Sequence, residues 1–357
     1  MWFVPGPVPV TQKTLAAASG EMISHRSGLF RELYSECHER MIRAFRIRGM
    51  VFSITGSGTL ANEAAVANVV PDTRTLCLVN GEFSERLYQA CKIYNPTTEH
   101  LVLDDGLGFN LERCKETIDA VKPDWVCMVQ NETATGVANR VDQIAPYVKK
   151  NGGRVLLDAV SSLGGLPLDC NAWGVDVCTS ASQKCLAAPP GLGFVALSEE
   201  AMAHIESKAS IPTFGLNLKT YKKFHQRSET PYTPALSVFY ALRQALYELE
   251  ADGLEHRWME HHDAGKKVRQ AVQDCGFDLF AEEHFRSDTV TSFVTPRCDE
   301  IKKALAANGV QIAGGQGAWK GKMLRIAHIG PQETRNIDAC TSCLKNVVAV
   351  LPKVAMA

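Results

Sequence analysis

One lysine of this sequence stands among residues that leave it little room. Lys184 follows Ser182 and Gln183, and a run of small residues leads from it to a rigid Pro-Pro-Gly turn at 189–191. Lysine normally keeps its charged end in water. Crowding and burial lower the pKa of an ammonium group and free the amine as a nucleophile. The pattern predicts that Lys184 forms a Schiff base with an aldehyde cofactor, the alternative being an ordinary surface lysine on a loop.

A carboxylate upstream sharpens this prediction. Val155–Leu157 is a short apolar run typical of a buried strand, and Asp158 stands at its carboxyl end. Ligands of open α/β sheets bind at the carboxyl ends of strands. A carboxylate there pairs with a protonated pyridine nitrogen and makes the ring an electron sink, which is the chemistry of pyridoxal phosphate. Taken alone, Asp158 is equally consistent with a helix or turn cap.

A glycine-containing turn offers a phosphate site. A predicted strand, Val51–Thr55, leads through Gly56-Ser57-Gly58-Thr59 into a predicted helix, Leu60–Val69. Backbone amides approach an anion closely at glycines, and the helix start adds partial positive charge. The motif is not the dinucleotide fingerprint, because Ala61 stands where the third glycine is expected. Alone it is a plain strand–helix connection; the order of cradle, aspartate and lysine carries the interpretation.

These groups need a scaffold, and the chain alternates short apolar strands with helical patterns. The predicted strands are Val51–Thr55, Thr75–Val79, His100–Leu103, Asp124–Val129, Arg154–Leu157, Val175–Thr179 and Gly193–Leu197. Such alternation predicts an α/β fold with a mostly parallel seven-stranded sheet sandwiched by helices. We predict a large cofactor-binding domain over residues 14–250. A smaller α+β domain is predicted over 251–357, together with the N-terminal segment 1–13.

Further elements are predicted beyond the sheet. The helix at Ala235–Glu250 carries core leucines, and a second helix is predicted at Leu254–Asp274, with His261 and His262 on its solvated side. The last part is predicted as strands and helices near Val290–Val294, Cys298–Asn308, Met323–Ile329 and Glu333–Val350.

Composition limits the possible partners. The chain has 357 residues, 45% hydrophobic and 22% charged, with a formal net charge of −1. A near-neutral balance gives no reason to expect nucleic acid or a membrane surface as partner. No long apolar stretch predicts a membrane span, and the N-terminus does not resemble a signal peptide, so we expect a cytoplasmic protein. The 12 cysteines predict neither a disulfide framework nor a metal site, and the pair Cys340 and Cys343 is interpreted as structural.

The order and local sequence of these motifs resemble the class V aminotransferases, which are pyridoxal phosphate enzymes of fold type I. The resemblance extends from Pro5-Gly6-Pro7 to the segment 323–330 and is strongest in Gly56-Ser57-Gly58-Thr59, the segment 157–165 and Ser182-Gln183-Lys184. It is closest to the alanine–glyoxylate, serine–pyruvate and 2-aminoethylphosphonate–pyruvate group. The resemblance implies the aspartate aminotransferase-like fold and a homodimer with shared active sites.

The resemblance also implies roles for individual residues. Lys184 holds the cofactor and moves the substrate proton, while Asp158 keeps the pyridine nitrogen protonated. Val160 and Phe83 cover the two ring faces, and Thr133 donates to the phenolic oxygen. Arg325 grips the substrate carboxylate. The phosphate is held by Ser57, Gly58, Thr59 and Gln183, and by Thr230 and Thr233 of the other subunit; His25 and Arg26 are weaker candidates near the mouth of the site.

Several functions stay open at this point. The absence of a second evident carboxylate clamp favours small substrates such as alanine, serine, pyruvate and glyoxylate. A 2-aminoethylphosphonate donor needs extra cations, for which Arg26, Arg31 and Lys219 are available, and a phosphoserine-type donor needs a phosphate clamp. Cysteine desulfurase or lyase chemistry needs a nucleophile such as Cys298, which is predicted at a helix start. A non-catalytic scaffold with the same fold is a further alternative.

Overall fold

The computed structural model describes residues 1–331 and 334–351. Its strands are β1 Trp2–Phe3, β2 Gly49–Gly56, β3 Thr75–Val79, β4 Glu99–Val102, β5 Trp125–Val129, β6 Asn131–Glu132, β7 Val137–Ala138, β8 Arg154–Asp158, β9 Val177–Ala181, β10 Gly191–Ser198, β11 Val290–Val294, β12 Gln311–Gly314 and β13 Met323–Ala327. Its helices are α1 Gln12–Ala17, α2 Gly28–Phe45, α3 Gly58–Val69, α4 Glu82–Tyr94, α5 Leu111–Val121, α6 Val141–Lys150, α7 Cys170–Trp173, α8 Glu199–Ser207, α9 Leu218–His225, α10 Leu236–Asp252, α11 Leu254–Asp274, α12 Cys298–Ala307 and α13 Thr334–Val350.

The largest sheet has the seven strands that the apolar runs predict. Their order is β2-β10-β9-β8-β5-β3-β4. Strand β10 is antiparallel to β2 and β9, whereas the remaining neighbours pair in parallel. Because β3, β5, β8 and β9 point the same way, their carboxyl ends meet at one edge. The α/β fold with a mostly parallel seven-stranded sheet is confirmed.

Helices cover both faces of this sheet. On one face, β-branched and leucine side chains of the strands pack against apolar residues of α2, α5, α6 and α10. On the other, alanines and valines of α3 lie against the strands together with residues of α4, α8 and α9. The small side chains of α3 (Ala61, Ala64 and Ala65 are fully buried) let this helix approach the sheet closely.

A second sheet has four strands in the order β1-β12-β13-β11. The N-terminal strand pairs with β12 in parallel, so residues 2–3 join the C-terminal part of the chain. Helices α11, α12 and α13 supply its apolar cover. This arrangement accords with a smaller C-terminal unit that includes the N-terminal segment; the proposed division at residue 250 remains a prediction.

Most predicted boundaries differ from the structure by one or two residues. Thr75–Val79, Leu254–Asp274 and Val290–Val294 have the predicted bounds. Residue 333, the predicted start of the last helix, lies outside the described residues, as do positions 332 and 352–357 of the predicted small domain. No described helix combines the length and apolar character required to cross a bilayer.

The prediction for His261 is wrong. Its side chain is buried, and its Nε2 accepts a hydrogen bond from the Gly330 amide at 3.0 Å. His262 is exposed, as predicted, and pairs with Asp288. The helical pattern indicates which residues share a face, but the segment after β13 covers α11 at His261, and a sequence pattern does not contain that contact.

Candidate active site

One cavity lies at the carboxyl-terminal edge of the large sheet, and the structure gives it a volume of about 180 Å³. Nine predicted residues line it: Ser57, Gly58, Thr59, Phe83, Thr133, Asp158, Val160, Gln183 and Lys184. Two larger clefts, of about 510 Å³ and 470 Å³, lie elsewhere and contain none of these residues. The chemistry-bearing residues therefore converge on a smaller site where parallel strands end.

Lys184 follows β9 and reaches into this cavity. Its Nζ donates to the carbonyl oxygen of Pro5 in the N-terminal segment. Burial lowers the pKa of this ammonium group, whereas Asp158 and Cys185 act in the opposite direction and Arg325 adds to the lowering. A Cβ on Gly6 would stand 2.9 Å from Nζ, and the φ of +129° at this position is one that L side chains rarely adopt, so Gly6 suits the close approach of the lysine. The surroundings favour a neutral, nucleophilic amine.

Asp158 is the last residue of β8 and is 5% exposed. Its Oδ1 accepts from the Val160 amide at 2.8 Å and its Oδ2 accepts from Nδ2 of Asn62 at 2.6 Å. Burial raises the pKa of the carboxyl, while these two hydrogen bonds, Lys184 and Arg86 oppose that rise. Each oxygen has acceptor capacity left for a donor in the cavity.

The Gly56–Thr59 turn begins helix α3, as predicted. Ser57 is the N-cap, although its side-chain bond to the Leu60 amide is long at 3.4 Å. Gly58 is buried, and a Cβ there would lie 2.8 Å from a methyl group of Val160. Ser57, Gly58 and Thr59 line the cavity, where the first amides of the helix and its partial positive charge suit an anion.

Phe83 is held in place by a buried glutamate that the sequence interpretation missed. The carboxylate of Glu132 accepts from the amides of Phe83 and Ser84 at the start of α4, and from the Ala134 amide and the Ser84 hydroxyl. Burial raises the pKa of Glu132, and the four donors oppose that rise. A negative charge at a helix N-terminus is stabilising, so Glu132 fixes the Phe83 segment against the cavity.

Arg325 lies on β13, next to the cavity rather than among its lining residues. It is 4% exposed, its Nε donates to Gly314 O at 2.9 Å and its Nη1 donates to Thr133 O at 2.8 Å. Among the described residues, none accepts a hydrogen bond from Nη2. Backbone carbonyls therefore orient the guanidinium group without neutralising its charge.

Thr230 and Thr233 do not reach the Lys184 cavity of their own chain. They line a separate cleft with Thr55 and Leu60 of the β2–α3 region. Arg26 holds this loop, since its guanidinium donates to Thr230 O at 2.6 Å and to Pro231 O at 3.0 Å and pairs with Glu229. His25, the other weak candidate, is likewise not among the residues that line the Lys184 cavity.

Four polar side chains on the cavity wall were not found by sequence reasoning: those of Asn62, Arg86, Asn131 and Ser161. Asn62 lies one turn into α3, and Arg86 lies on α4 with its guanidinium 4.9 Å from the centre of the Phe83 ring. The helical spacing of Asn62 from Gly58 and of Arg86 from Phe83 is a signal that would have placed both near the site.

A group of three cysteines lies in the apolar layer behind the sheet. The sulfur atoms of Cys77, Cys91 and Cys127 are within 4.8 Å of one another, and all three residues are buried. They belong to the same core cluster as the inner face of α3 and do not line the Lys184 cavity. Cys340 and Cys343 lie on α13, the first of them buried.

The cavity has the features that a phosphorylated pyridine aldehyde requires. It combines a buried amine, a strand-end carboxylate and a helix start open to an anion. Two buried side-chain oxygens, Oε1 of Gln183 and Oδ1 of Asn131, have no hydrogen-bond partner among the described residues, although both residues line the cavity. Buried polar atoms are rarely left without a partner, so these two indicate a polar ligand. The residues present fit pyridoxal phosphate.

Comparison with known proteins agrees with this geometry. The family model "Aminotransferase class-V" matches residues 11–330. An uncharacterized aminotransferase of Methanocaldococcus jannaschii is 34% identical over 96% of this chain and 91% of its own length. The alanine–glyoxylate aminotransferase of the marmoset Callithrix jacchus is 30% identical over 98% of this chain and 87% of its own length.

Solved structures show the same fold. The crystal structure of an alanine–glyoxylate aminotransferase from Nostoc sp. superposes with a TM-score of 0.92 at 26% identity, covering 97% of this chain and 94% of that one. The likeness extends over both sheets, so it concerns the whole fold and not the cavity alone.

Proposed function

This chain belongs to the class V aminotransferase family, and we propose that it moves an amino group from a small amino acid, alanine, serine or similar, to glyoxylate or pyruvate. It is a transaminase, as its family and relatives are. The observation that carries the proposal is the convergence of the buried Lys184 amine, the strand-end Asp158 carboxylate and the open start of α3 on one cavity.

We propose pyridoxal phosphate as the cofactor, bound covalently through Lys184. The start of α3, with Ser57, Gly58 and Thr59, and the side chain of Gln183 would hold the phosphate. When bound, the cofactor supplies an electron sink that stabilises negative charge at the substrate carbon that loses its proton.

The chain's own residues then have separate tasks. Asp158 offers negative charge where a protonated ring nitrogen is to be held. Once the substrate amine has displaced it, the Lys184 amine, with its pKa lowered by burial, would act as general base and then as general acid, taking a proton from the substrate carbon and returning one to complete the amino transfer. Val160 and Phe83, which both line the cavity, would restrict the space for the ring, and Thr133, which lines it too, would donate a hydrogen bond from its hydroxyl.

The substrate class is proposed from Arg325. Its Nη2, which has no acceptor among the described residues, and its positive charge, which Glu132 offsets only from a distance, suit a carboxylate, a group that amino acids and 2-oxo acids share. The marmoset and Nostoc relatives are named for alanine and glyoxylate, which supports small monocarboxylates.

Contacts in the structure disfavour two of the alternatives, a 2-aminoethylphosphonate donor and cysteine desulfuration. The cations considered for a phosphonate are already paired: Arg26 and Arg31 with Glu229, and the Nζ of Lys219 with the carbonyl oxygens of Glu206 and Lys208. Cys298, the nucleophile considered for desulfuration, is buried at the start of α12 and donates to Thr295 O at 3.1 Å. It is not part of the cavity wall.

We also propose a cytoplasmic homodimer whose active sites are shared. The cleft that holds Thr230 and Thr233 opens beside Thr55 and Leu60, close in sequence to the phosphate cradle. The exposed ring of Phe214, near Tyr232, gives this side an apolar surface suited to a second copy. Sedimentation of the purified protein tests whether it is a dimer, and cell fractionation tests whether it is cytoplasmic.

The test of function is spectroscopic and chemical. The purified protein is saturated with pyridoxal phosphate, and its visible absorbance is followed while L-alanine, L-serine or 2-aminoethylphosphonate is added, then glyoxylate or pyruvate. If the visible absorbance band of the bound cofactor disappears with alanine or serine and returns with the 2-oxo acid, the result supports the proposal. A response to 2-aminoethylphosphonate alone supports the phosphonate reaction instead.

Two variants locate the attachment. Borohydride reduction followed by peptide mass analysis is expected to find the cofactor on Lys184 and none in Lys184→Ala. Lys150→Ala, an exposed lysine at the end of α6, is the matched control and keeps both the adduct and the spectral response. Attachment at another lysine refutes the assignment.

A further inference from the structure

Asn62 links helix α3 to the carboxylate at the end of β8. Its Nδ2 donates to Oδ2 of Asp158 at 2.6 Å, and its own Oδ1 accepts from the Thr179 hydroxyl. Thr179 stands opposite Asp158 in the parallel pairing of β8 with β9. We propose that Asn62 is a positioning residue that holds the Asp158 carboxylate ionised and aimed at the cofactor's ring nitrogen. This inference rests on the proposed function.

The orientation of the Asn62 amide is set by its neighbours. The Thr179 hydroxyl donates to Oδ1, so the amide NH₂ group faces Asp158. A reversed amide would put its oxygen against a carboxylate oxygen, which is unfavourable unless Asp158 carries a proton. With its NH₂ group facing Asp158, Asn62 donates to the carboxylate and favours its ionised form, because a hydrogen bond to a charged acceptor is the stronger one.

The two hydrogen bonds on Asp158 also fix the plane of its carboxylate. The Val160 amide holds Oδ1 from within the same chain segment, and Asn62 holds Oδ2 from a different element. With only one of them, the carboxylate can rotate about its terminal torsion, which has a broad energy minimum. With both, the plane of the carboxylate is fixed, and each oxygen keeps acceptor capacity at the wall of the cavity that Asp158 lines.

Other charged groups near Asp158 do not replace Asn62. Lys184 and Arg86 favour the carboxylate from a distance, while the Cys178 thiol on β9 is close enough to be affected by it. Neither cation makes a hydrogen bond to Asp158 in the structure. Asn62 and the Val160 amide are the direct donors that oppose the effect of burial.

Helix α3 thus serves the cavity at two points. Its first residues form the proposed phosphate cradle, and Asn62, one turn further, holds the proposed partner of the ring nitrogen. A helix is rigid over one turn, so the distance between the two sites is fixed by a single element.

The test uses a probe that cannot react with Lys184. Pyridoxine 5′-phosphate has the ring and phosphate of the cofactor without its aldehyde, so its affinity for the apoprotein reports the ring and phosphate contacts alone. In Asn62→Leu, which has a similar shape and no donor, we expect binding about 10- to 100-fold weaker, the effect of losing a hydrogen bond to a charged group.

The pH profile separates this role from a merely structural one. Affinity for the probe needs the Asp158 carboxylate, so it falls on acidification as Asp158 gains a proton. Asn62 opposes the raised pKa of Asp158; without it that pKa rises further, and the fall begins at a higher pH in Asn62→Leu than in the wild type.

Three further variants complete the design. Asn62→Asp, which cannot donate when ionised, is expected to bind more weakly than Asn62→Leu. Thr179→Val removes the hydroxyl that donates to Asn62, together with its longer contact to Leu157 O at 3.4 Å, and is expected to show a smaller loss with the same direction of pH change. Glu63→Gln is the matched control, because Glu63 neighbours Asn62 on α3 but accepts from the Tyr94 hydroxyl, and it should match the wild type.

The outcomes are distinct. Equal affinity and an unshifted pH profile in Asn62→Leu overturn the inference while leaving the proposed function intact. If Asn62→Leu does not fold, Thr179→Val and Asn62→Asp decide in the same way. If the wild-type protein binds neither the probe nor pyridoxal phosphate, the proposed function fails and the inference falls with it.

Discussion

A pair of glycines at equivalent helix positions offers the sharpest test of the phosphate cradle. Gly58 is the first residue of α3 and follows the N-cap Ser57; Gly28 is the first residue of α2 and follows the N-cap Ser27. An added Cβ meets nothing within 4 Å at Gly28. At Gly58 it would lie 2.8 Å and 3.1 Å from the two methyl groups of Val160 and 3.2 Å from Cβ of Ala181.

The expected magnitude follows from these distances. Carbon atoms pack favourably at about 3.5–4.0 Å, so all three contacts at Gly58 are too close. Rotating Val160 does not relieve them, because both of its methyl groups are near and β-branched side chains are stiff at χ1. Overpacking costs about 1–3 kcal/mol. Replacing a glycine at a compatible position gains about 0.4–1 kcal/mol, so Gly28→Ala is expected to be slightly stabilising and Gly58→Ala destabilising.

The assay compares the two variants with the wild type as apoproteins. Thermal unfolding at one scan rate measures stability, and titration with pyridoxine 5′-phosphate measures the cradle. Gly58→Ala is expected to lower the midpoint and weaken binding, whereas Gly28→Ala does neither. Equal midpoints for the two variants would refute the packing argument, and unchanged affinity in Gly58→Ala would refute the cradle.

Three other predictions test different parts of the molecule. Glu132→Gln replaces two acceptor oxygens by one. We expect the free energy of unfolding, measured with denaturant, to fall by about 1–3 kcal/mol, and pyridoxine 5′-phosphate to bind more weakly. A variant as stable as the wild type would contradict the role of Glu132. Burial lowers the pKa of His38 from 6.5 to about 4, so the unfolded chain gains its proton first and stability falls as the pH drops from about 6.5 to about 4. His38→Gln should show a smaller fall in unfolding midpoint over that range, and an unchanged slope would exclude His38 as a source. If sites are shared, mixing Lys184→Ala with Thr233→Glu should restore transaminase activity in hybrid dimers, and no recovery after verified subunit exchange contradicts the sharing.

The sequence predicted the parts of the fold that local patterns determine. The strand at 75–79 and the helix at 254–274 have the predicted bounds, because apolar runs and helical periodicity are local properties. Lys184 and Asp158 were predicted from local features, crowding and position at a strand end; both line the cavity, and their roles stay predictions. The antiparallel placement of β10 beside β2 was not predicted, since strand order depends on contacts between distant segments.

The residues that the sequence did not reveal act across long separations. Asn62 contacts a carboxylate 96 positions away, and Glu132 caps a helix 48 positions away. Neither residue belongs to a sequence motif that indicates a catalytic or binding role. Arg26 was a weak candidate near the site, and the structure gives it a different task, holding the loop that carries Thr230. Such roles arise only when the fold brings two segments together.

Lys184 and Asp158 offer different chemistry to a ligand in the cavity. Burial lowers the pKa of the lysine and raises that of the aspartate, so each group is pushed towards its neutral form by the same desolvation. Hydrogen bonds from Asn62 and the Val160 amide oppose the rise in the pKa of the aspartate, whereas the lysine amine has one carbonyl partner, Pro5. In the proposed function, Asp158 would hold a positive charge and Lys184 would act as a nucleophile. A site with that asymmetry distinguishes the two ends of its ligand before any substrate enters.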